Sequence, residues 1–396
     1  MTTHLSRRNV VRFLHTADWH VGKTLKGHSR LDEQEQVLRE IVRLVRAQEL
    51  DAVLVAGDLY ESAAPSAAAQ KLVVRTLMAL ADTGAEVIVI AGNHDHAATL
   101  DAYRPFAGAA GITLVGAVRP VDQGGVIEFV ARTGERVTVA VLPFVSTRYA
   151  VRAAELVTNT PAEHTSAYDQ QLRDILGLLT SGFRTDAVNL VMAHLTVLNG
   201  TFGGGERSAQ SIFEYAVPAT VFPLDAHYVA LGHLHRRQVI AAPCPVYYSG
   251  APLAVDFGEQ EYEPVVCLVE ATPTTPARVT DIPITTARRL RTLRGTIDEL
   301  GTLAGTVGDD LLRVWVREPA RAGLRDEVID LLPNALEVRI DPEFATAVTG
   351  SRPTSGVGIE RTPLELFGEY CATRNTDDPR LNALFARLHD RVTGGA

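Results

Sequence analysis

The sequence has 396 residues, 46% of them hydrophobic and 21% charged, and a formal net charge of -9. That length asks for two or three domains, and that balance is the one of an ordinary globular chain, which excludes a disordered or fibrous protein. The charge argues against a large basic surface, and no apolar run approaches the roughly 20 residues that cross a bilayer, so no membrane association is expected.

Met1 to Asn9 is polar and lacks the apolar stretch of a signal peptide. The first strand-like run, Val11 to Leu14, leads into Asp18-Trp19-His20. Helical spacing follows over Asp32 to Gln48, with Val37, Leu38, Ile41, Leu44 and Val45 on one face. Ala52 to Val55 is apolar throughout and ends at Gly57-Asp58. Ser66 to Thr83 repeats the helical pattern through Leu72, Val73, Leu77 and Leu80, with Gly84 as its stop. Val87 to Ile90 then ends at Gly92-Asn93-His94-Asp95. Two strand–helix–strand units therefore carry the first three motifs.

Two more apolar runs end the same way: Leu190 to Met192 before Ala193-His194, and Tyr228 to Leu231 before Gly232-His233-Leu234-His235. Thr138 to Leu142 and Val246 to Tyr248 suggest a second sheet behind the first. The Thr/Pro-rich stretch Ala271 to Pro283 reads as a domain boundary. Beyond it, strand-like Leu311 to Val316, helical Gly323 to Leu332 and strand-like Leu336 to Ile340 make a small α+β unit. Thr349 to Gly358 has linker composition. Thr362-Pro363-Leu364-Glu365 is a capping box, and Asp378-Pro379 starts a last helix with Leu381, Leu384, Phe385, Leu388 and Val392 on one stripe. The three cysteines, Cys244, Cys267 and Cys371, form no C-x-x-C pair and read as reduced thiols of a cytoplasmic protein. Lys23, Lys26 and Lys71 are the only lysines, and the arginine excess reads as compositional bias.

Strands buried on both faces place the groups that follow them at the carboxyl edge of a sheet. Five such edges here carry Asp, Asn and His, an oxygen and imidazole set that suits Mn, Fe or Zn better than Ca or Mg. Two cations about 3.5–4 Å apart can clamp a phosphodiester for in-line attack by water. Such a pair needs a shared ligand, and Asp58, ending the middle strand, is the candidate. His233 and His235, two residues apart, are expected to aim at different cations. His94 follows Asn93 directly and is expected to point away from the cation that Asn93 holds, ready to protonate a leaving oxygen or stabilise the charged phosphorane. Asp95 is expected to orient His94. Any one of these histidines alone reads more readily as a surface or core residue, and His15 and His96 fit that description. Ala17 to Thr24 matches a loose phosphate-loop pattern, but its spacers include Asp18, Trp19 and His20 and no helix opens from it, so nucleotide binding belongs to another chain.

The five motifs resemble the calcineurin-like metallophosphoesterases, which implies a four-layer α/β/β/α sandwich with two metals. Phe13-Leu14-His15-Thr16-Ala17-Asp18-Trp19-His20-Val21-Gly22, Gly203-Gly204-Gly205-Glu206-Arg207 and Tyr248 to Glu259 narrow the likeness to the SbcD family of bacterial exonuclease subunits, over essentially the whole chain. That resemblance implies Asp18, His20, Asp58 and His235 on one cation, Asp58, Asn93, His194 and His233 on the other, and His94 as the catalytic histidine. It implies Mn2+ as the activating metal, exonuclease action on duplex ends, and endonuclease action on single strands and hairpins. It also implies a nuclease domain over residues 1–284, a capping, DNA-binding domain over 285–345, a linker over 346–361 and partner-binding helices over 362–396. The helices would bind a coiled-coil ATPase of SbcC type in a complex with two copies of each subunit, homodimeric through the nuclease domain. Glu61 stands where archaeal and eukaryotic relatives carry a histidine, and the resemblance gives it no role. The metal motif by itself also fits a small-substrate phosphoesterase, such as a cyclic-nucleotide phosphodiesterase. A non-catalytic scaffold would lack a ligand, and none is lacking.

Overall fold

The computed structural model describes residues 10–146, 161–206 and 216–345, together with Phe367, Leu381, Leu384 and Phe385. The chain divides into two units, Met1–Ala345 and Thr346–Ala396.

In the first unit, strands and helices alternate: β1 (Val11–Thr16), a tiny hairpin of β2 (Thr24–Leu25) and β3 (His28–Ser29), α1 (Leu31–Gln48), β4 (Ala52–Val55), α2 (Ala67–Ala81), β5 (Glu86–Ile90), α3 (Ala97–Ala109) and β6 (Ile112–Val115). There follow β7 (Val126–Val130), β8 (Arg136–Leu142), α4 (Pro161–Thr180), β9 (Ala187–His194), β10 (Tyr228–Gly232), β11 (Gln238–Ile240) and β12 (Val246–Tyr248). A hairpin of β13 (Val265–Thr272) and β14 (Thr275–Pro283) then returns the chain to the first sheet.

Two six-stranded sheets result, ordered β14-β13-β1-β4-β5-β6 and β11-β12-β10-β9-β8-β7. Alternation of side chains along a strand explains how they stack. In β4, Val53 and Val55 face the helix-covered core with Val37, Ile41 and Leu80, whereas Ala52 and Leu54 face a second core. That second core lies between the sheets and joins Phe13, Ile88 and Ile90 to Val139, Leu190, Met192 and Tyr228. A third core, with Tyr168, Leu172 and Leu176 of α4 against Val191, Val229 and Leu231, covers the outer face of the second sheet. The layers are thus α/β/β/α. Each fully buried aliphatic side chain contributes about 1.5–3 kcal/mol to this sandwich, before conformational entropy is set against it. Among the described residues, no helix is long and apolar enough to cross a membrane.

The Thr/Pro-rich stretch Ala271 to Pro283 is mostly strand: it ends β13, turns at Pro273-Thr274 and forms β14, and β13 pairs with β1 through Phe13↔Val269 and Leu14↔Leu268. Pro276 and Pro283 are tolerated because β14 is an edge strand, where a missing N–H leaves no ladder bond broken, and its Thr, Val and Ile residues suit a pleated surface.

After this hairpin come β15 (Leu290–Gly295), α5 (Ile297–Leu303), β16 (Leu311–Val316), α6 (Leu324–Leu331), β17 (Ala335–Ile340) and α7 (Pro342–Ala345). Their three-stranded parallel sheet has its own core, with Leu293, Val314 and Val328. The module rests on the larger part through Leu25, Phe257, Leu290 and Leu311, with the Arg313 guanidinium 5.2 Å from the Phe257 ring centre. Glu40 accepts from the backbone and hydroxyls of Thr285 and Thr286, and Glu33 accepts from Arg288 N at 2.7 Å. In the second unit the rings of Phe367 and Phe385 stack at 4.2 Å, and Leu381 and Leu384 are exposed. The expected capping box at Thr362 and the N-cap at Asp378 lie outside the described residues.

Candidate metal centre

The carboxyl ends of β1, β4 and β5 in one sheet, and of β9 and β10 in the other, open into the same place, and every predicted ligand is there. Local backbone geometry drives this convergence. Asp18 N–H bonds the Gly57 carbonyl and His20 N–H the Asp58 carbonyl, each at 3.0 Å, so the first two loops run side by side. Asp18, His20, Asp58 and His233 all have positive φ, a region that costs an ordinary side chain about 1 kcal/mol or more and that persists where the surroundings over-determine it. Gly92 and Gly232 are required by close approach: a Cβ on Gly92 would overlap Asp58 Oδ1, and one on Gly232 would overlap the Ala56 carbonyl.

Asp18, His20 and His235 form one group of ligand atoms within 4.8 Å of one another, and Asp58, His194 and His233 form a second. Asp58 lies between them. Its Oδ1 accepts the His94 N–H at 2.8 Å, while Oδ2 lies 3.6 Å from His20 Nε2 and 3.5 Å from His194 Nε2. Asn93 Oδ1 joins the second group, 2.9 Å from His194 Nε2 and 2.7 Å from His233 Nδ1. His233 lies with the second group and His235 with the first, turning its Nε2 to within 3.0 Å of His20 Nε2. All these side chains are buried apart from Asn93, which is half-buried.

A divalent cation fits these donors. His194 Nδ1 lies 2.8 Å from the Ala56 carbonyl, which can only accept, so Nδ1 carries the hydrogen and Nε2 is a lone pair. That lone pair faces the Asn93 carbonyl oxygen at 2.9 Å, two acceptors with no proton to share. Burial lowers the His194 pKa, so the ring is not rescued by a second proton. For His233, burial and then the neighbouring His194 take the pKa down to about 3. Asp58 would be raised by burial, but His194, His20 and His94 outweigh it and keep the carboxyl ionised. Neutral imidazoles of His194 and His233 beside an ionised carboxylate are what a cation in this half requires.

His94 lies within the same cluster as His20 and Asp58, its ring edge-on to His20 at 4.6 Å between centroids. The expectation that Asp95 orients this ring needs correcting. His94 Nδ1 faces the Glu61 carbonyl at 2.8 Å, whereas the Asp95 carboxylate accepts three backbone N–H groups, from Leu59, Tyr60 and Gly92. Asp95 is short and sits beneath the loops, so it clamps the second loop to the third and acts on His94 through the main chain.

Three carboxylates that the motifs left without a role complete the surroundings. Glu61 lies 3.2 Å from His20 Nδ1 and 2.9 Å from Lys23 Nζ. Burial would raise its pKa, but His20 and Lys23 outweigh burial and hold it at about 2. Glu259 accepts from His235 Nδ1 at 2.7 Å. Glu206 accepts the His235 and Gly203 N–H groups at 3.0 and 2.6 Å.

Residues 11–237 match the family model described as calcineurin-like phosphoesterase. The chain belongs to the calcineurin-like phosphoesterases. Among calcineurin-like relatives, the SbcD subunit of the nuclease SbcCD of Bacillus subtilis (strain 168) is 41% identical over 267 residues, covering 66% of this chain and 67% of that protein. The proteins of the same name from Rhodobacter capsulatus and Escherichia coli K12 are 34% and 30% identical, over 66% and 62% of their own lengths. The matched stretch thus spans about two thirds of each relative, and it places this phosphoesterase in the SbcD branch.

Proposed function

We propose that this chain is the metal-dependent nuclease subunit of an SbcC–SbcD-type complex, hydrolysing DNA phosphodiester bonds at duplex ends, single strands and hairpins in repair and recombination. The observation that carries the proposal is Asp58, one oxygen tied to the His94 backbone and the other lying between the imidazoles of two ligand groups. Asp18, His20, Asp58 and His235 would hold one cation, and Asp58, Asn93, His194 and His233 the other, with Mn2+ the best match to mixed oxygen and imidazole donors. When bound, the pair supplies positive charge to clamp a phosphodiester and to acidify water.

The chain's own groups do the rest. His94 gives its Nδ1 hydrogen to the Glu61 carbonyl, which leaves Nε2 as the nitrogen that handles a proton on the substrate side. Protonated there, it delivers that proton to the leaving oxygen as the P–O bond breaks and water supplies the new one. Glu61, Asp95 and the positive-φ backbone keep this ring and the ligands in place, so little reorganisation accompanies the reaction.

Three further features support DNA and protein partners rather than a nucleotide-sized substrate. Across one face of the small sheet Trp315 lies between Arg294 and Arg339, 5.8 and 5.7 Å from its ring centre, a charged and aromatic surface suited to a sugar-phosphate backbone. Between α2 and α3 lies a groove of about 440 Å³ lined by Leu59, Val73, Leu77, Met78, Tyr103 and Phe106, with Met78 and Phe106 49% and 79% exposed. A patch this apolar suits a second copy of the chain. The exposed Leu381 and Leu384 of the second unit suit the coiled-coil ATPase, in a complex of two copies of each subunit.

The test is a nuclease assay on labelled duplex and hairpin DNA across Mn2+, Mg2+ and Zn2+, with His94→Gln alongside. Mn2+-dependent degradation, lost by about a hundredfold or more in the variant while metal binding persists, is the expected result. Activity confined to mononucleotide esters would favour the small-substrate phosphodiesterase. Deleting residues 361–396 should abolish ATPase binding and leave basal nuclease activity.

A further inference from the structure

The two halves of the centre are backed by different chemistry. His20 and His235 turn their Nε2 atoms toward each other at 3.0 Å. Behind each, the Nδ1 atom faces a carboxylate: Glu61 at 3.2 Å for His20 and Glu259 at 2.7 Å for His235. Glu259 is 2% exposed, and its second oxygen accepts Val255 N–H at 2.6 Å, so the side chain cannot swing away. With a carboxylate set behind each ring, both Nε2 atoms are turned toward one point.

The other half is built differently among the described residues. His194 Nδ1 meets the neutral Ala56 carbonyl, and His233 turns Nδ1 toward the amide oxygen of Asn93, itself a neutral donor of this half. The Asp58 carboxylate is shared, so the first half adds Asp18, Glu61 and Glu259 while the second adds no further anion from these contacts. An imidazole whose distal N–H is held by a carboxylate is a more basic, better-oriented ligand, and each added anion lowers the energy of a nearby dication.

We infer that the two positions load unequally: the Asp18–His20–His235 position binds its cation first and tightly, the Asn93–His194–His233 position is weaker and exchanges, and Glu61 and Glu259 are the positioning residues that set the difference. This rests on the two-cation reading proposed above. It gives Glu61 the role of supporting two histidines at once, His20 through its carboxylate and His94 through its carbonyl.

The experiment is calorimetric titration of the metal-free full-length chain with Mn2+, with electron paramagnetic resonance at each equivalent. Wild type should show two resolved affinities, an uncoupled Mn2+ spectrum after one equivalent and a spin-coupled pair only after the second. Glu259→Gln should weaken the tight phase by about 10–100-fold and leave the weak phase in place, and Glu61→Gln should act in the same direction. His233→Gln should remove the weak phase alone. The metal-free variants should melt with the metal-free wild type, which separates positioning from a purely structural role. A single affinity with a coupled spectrum from the first addition would overturn the inference, as would Glu259→Gln weakening both phases equally. Absence of any Mn2+ binding would instead remove the two-cation reading beneath it.

Discussion

Replacing His15 by Gln should make the fold measurably less sensitive to acid. His15 is wholly buried in β1, with Nδ1 2.9 Å from the Tyr228 hydroxyl and Nε2 3.1 Å from the Leu231 carbonyl. The carbonyl can only accept, so Nε2 carries the hydrogen and Nδ1 accepts from Tyr228. Burial, opposed by the Leu231 bond, lowers the pKa from 6.5 to about 3. A histidine depressed in the folded state contributes its full stability above the unfolded pKa. That contribution is lost as pH falls from 6.5 toward 3, because the unfolded chain takes up the proton first. At about pH 5 the unfolded ring is favoured by roughly 1.5 pH units of proton affinity, or about 2 kcal/mol. Gln can accept from Tyr228 and donate to Leu231 without titrating. Urea unfolding of wild type and His15→Gln in chelator, at about pH 7.5 and about pH 5, should therefore show wild type losing about 2 kcal/mol more than the variant between the two conditions. Equal losses in the two proteins would refute the argument.

Gly92→Ala should displace the Asp58 carboxylate that its Cβ would overlap, so the chain should keep its far-ultraviolet circular dichroism while Mn2+ affinity and nuclease turnover both fall. Arg294→Ala with Arg339→Ala should weaken binding of duplex DNA irrespective of sequence and reduce the salt slope of log K by about one per lost phosphate contact, measured by fluorescence anisotropy across salt. Phe106→Glu, placed in the apolar groove, should convert a dimer to monomer in sedimentation velocity without loss of folding.

The candidate ligands were legible in the sequence because each follows a strand buried on both faces, whose run of Val, Ile and Leu ends in a polar residue. The loops' positive φ values were not legible: Asp18, His20, Asp58 and His233 give no compositional sign of them, since glycine is absent at those positions. Glu206 and Glu259 escaped for a different reason. A solitary glutamate in a turn looks like any solvated charge, and only the fold brings these two within 3.0 Å of His235. The strand within Thr/Pro-rich Ala271 to Pro283 was not legible because proline punctuates a chain only where an N–H is needed, and an edge strand does not need every one. Asp95 was placed at the right site with the wrong partner, because adjacency in sequence says nothing about which way a short side chain turns beneath a loop.

The pairing of β1 with β13 has a consequence for the nascent chain. Phe13 waits for Val269 before the strand that delivers Asp18 and His20 has both of its neighbours. At about 5–20 residues per second on the ribosome, roughly 13–50 seconds pass between synthesis of the two partners. During that interval His194, His233 and His235 are also still arriving, and β1 is an open sheet edge. A centre whose side chains run from Asp18 to His235, on a first strand that gains its last neighbour only at Val269, is therefore completed late in synthesis.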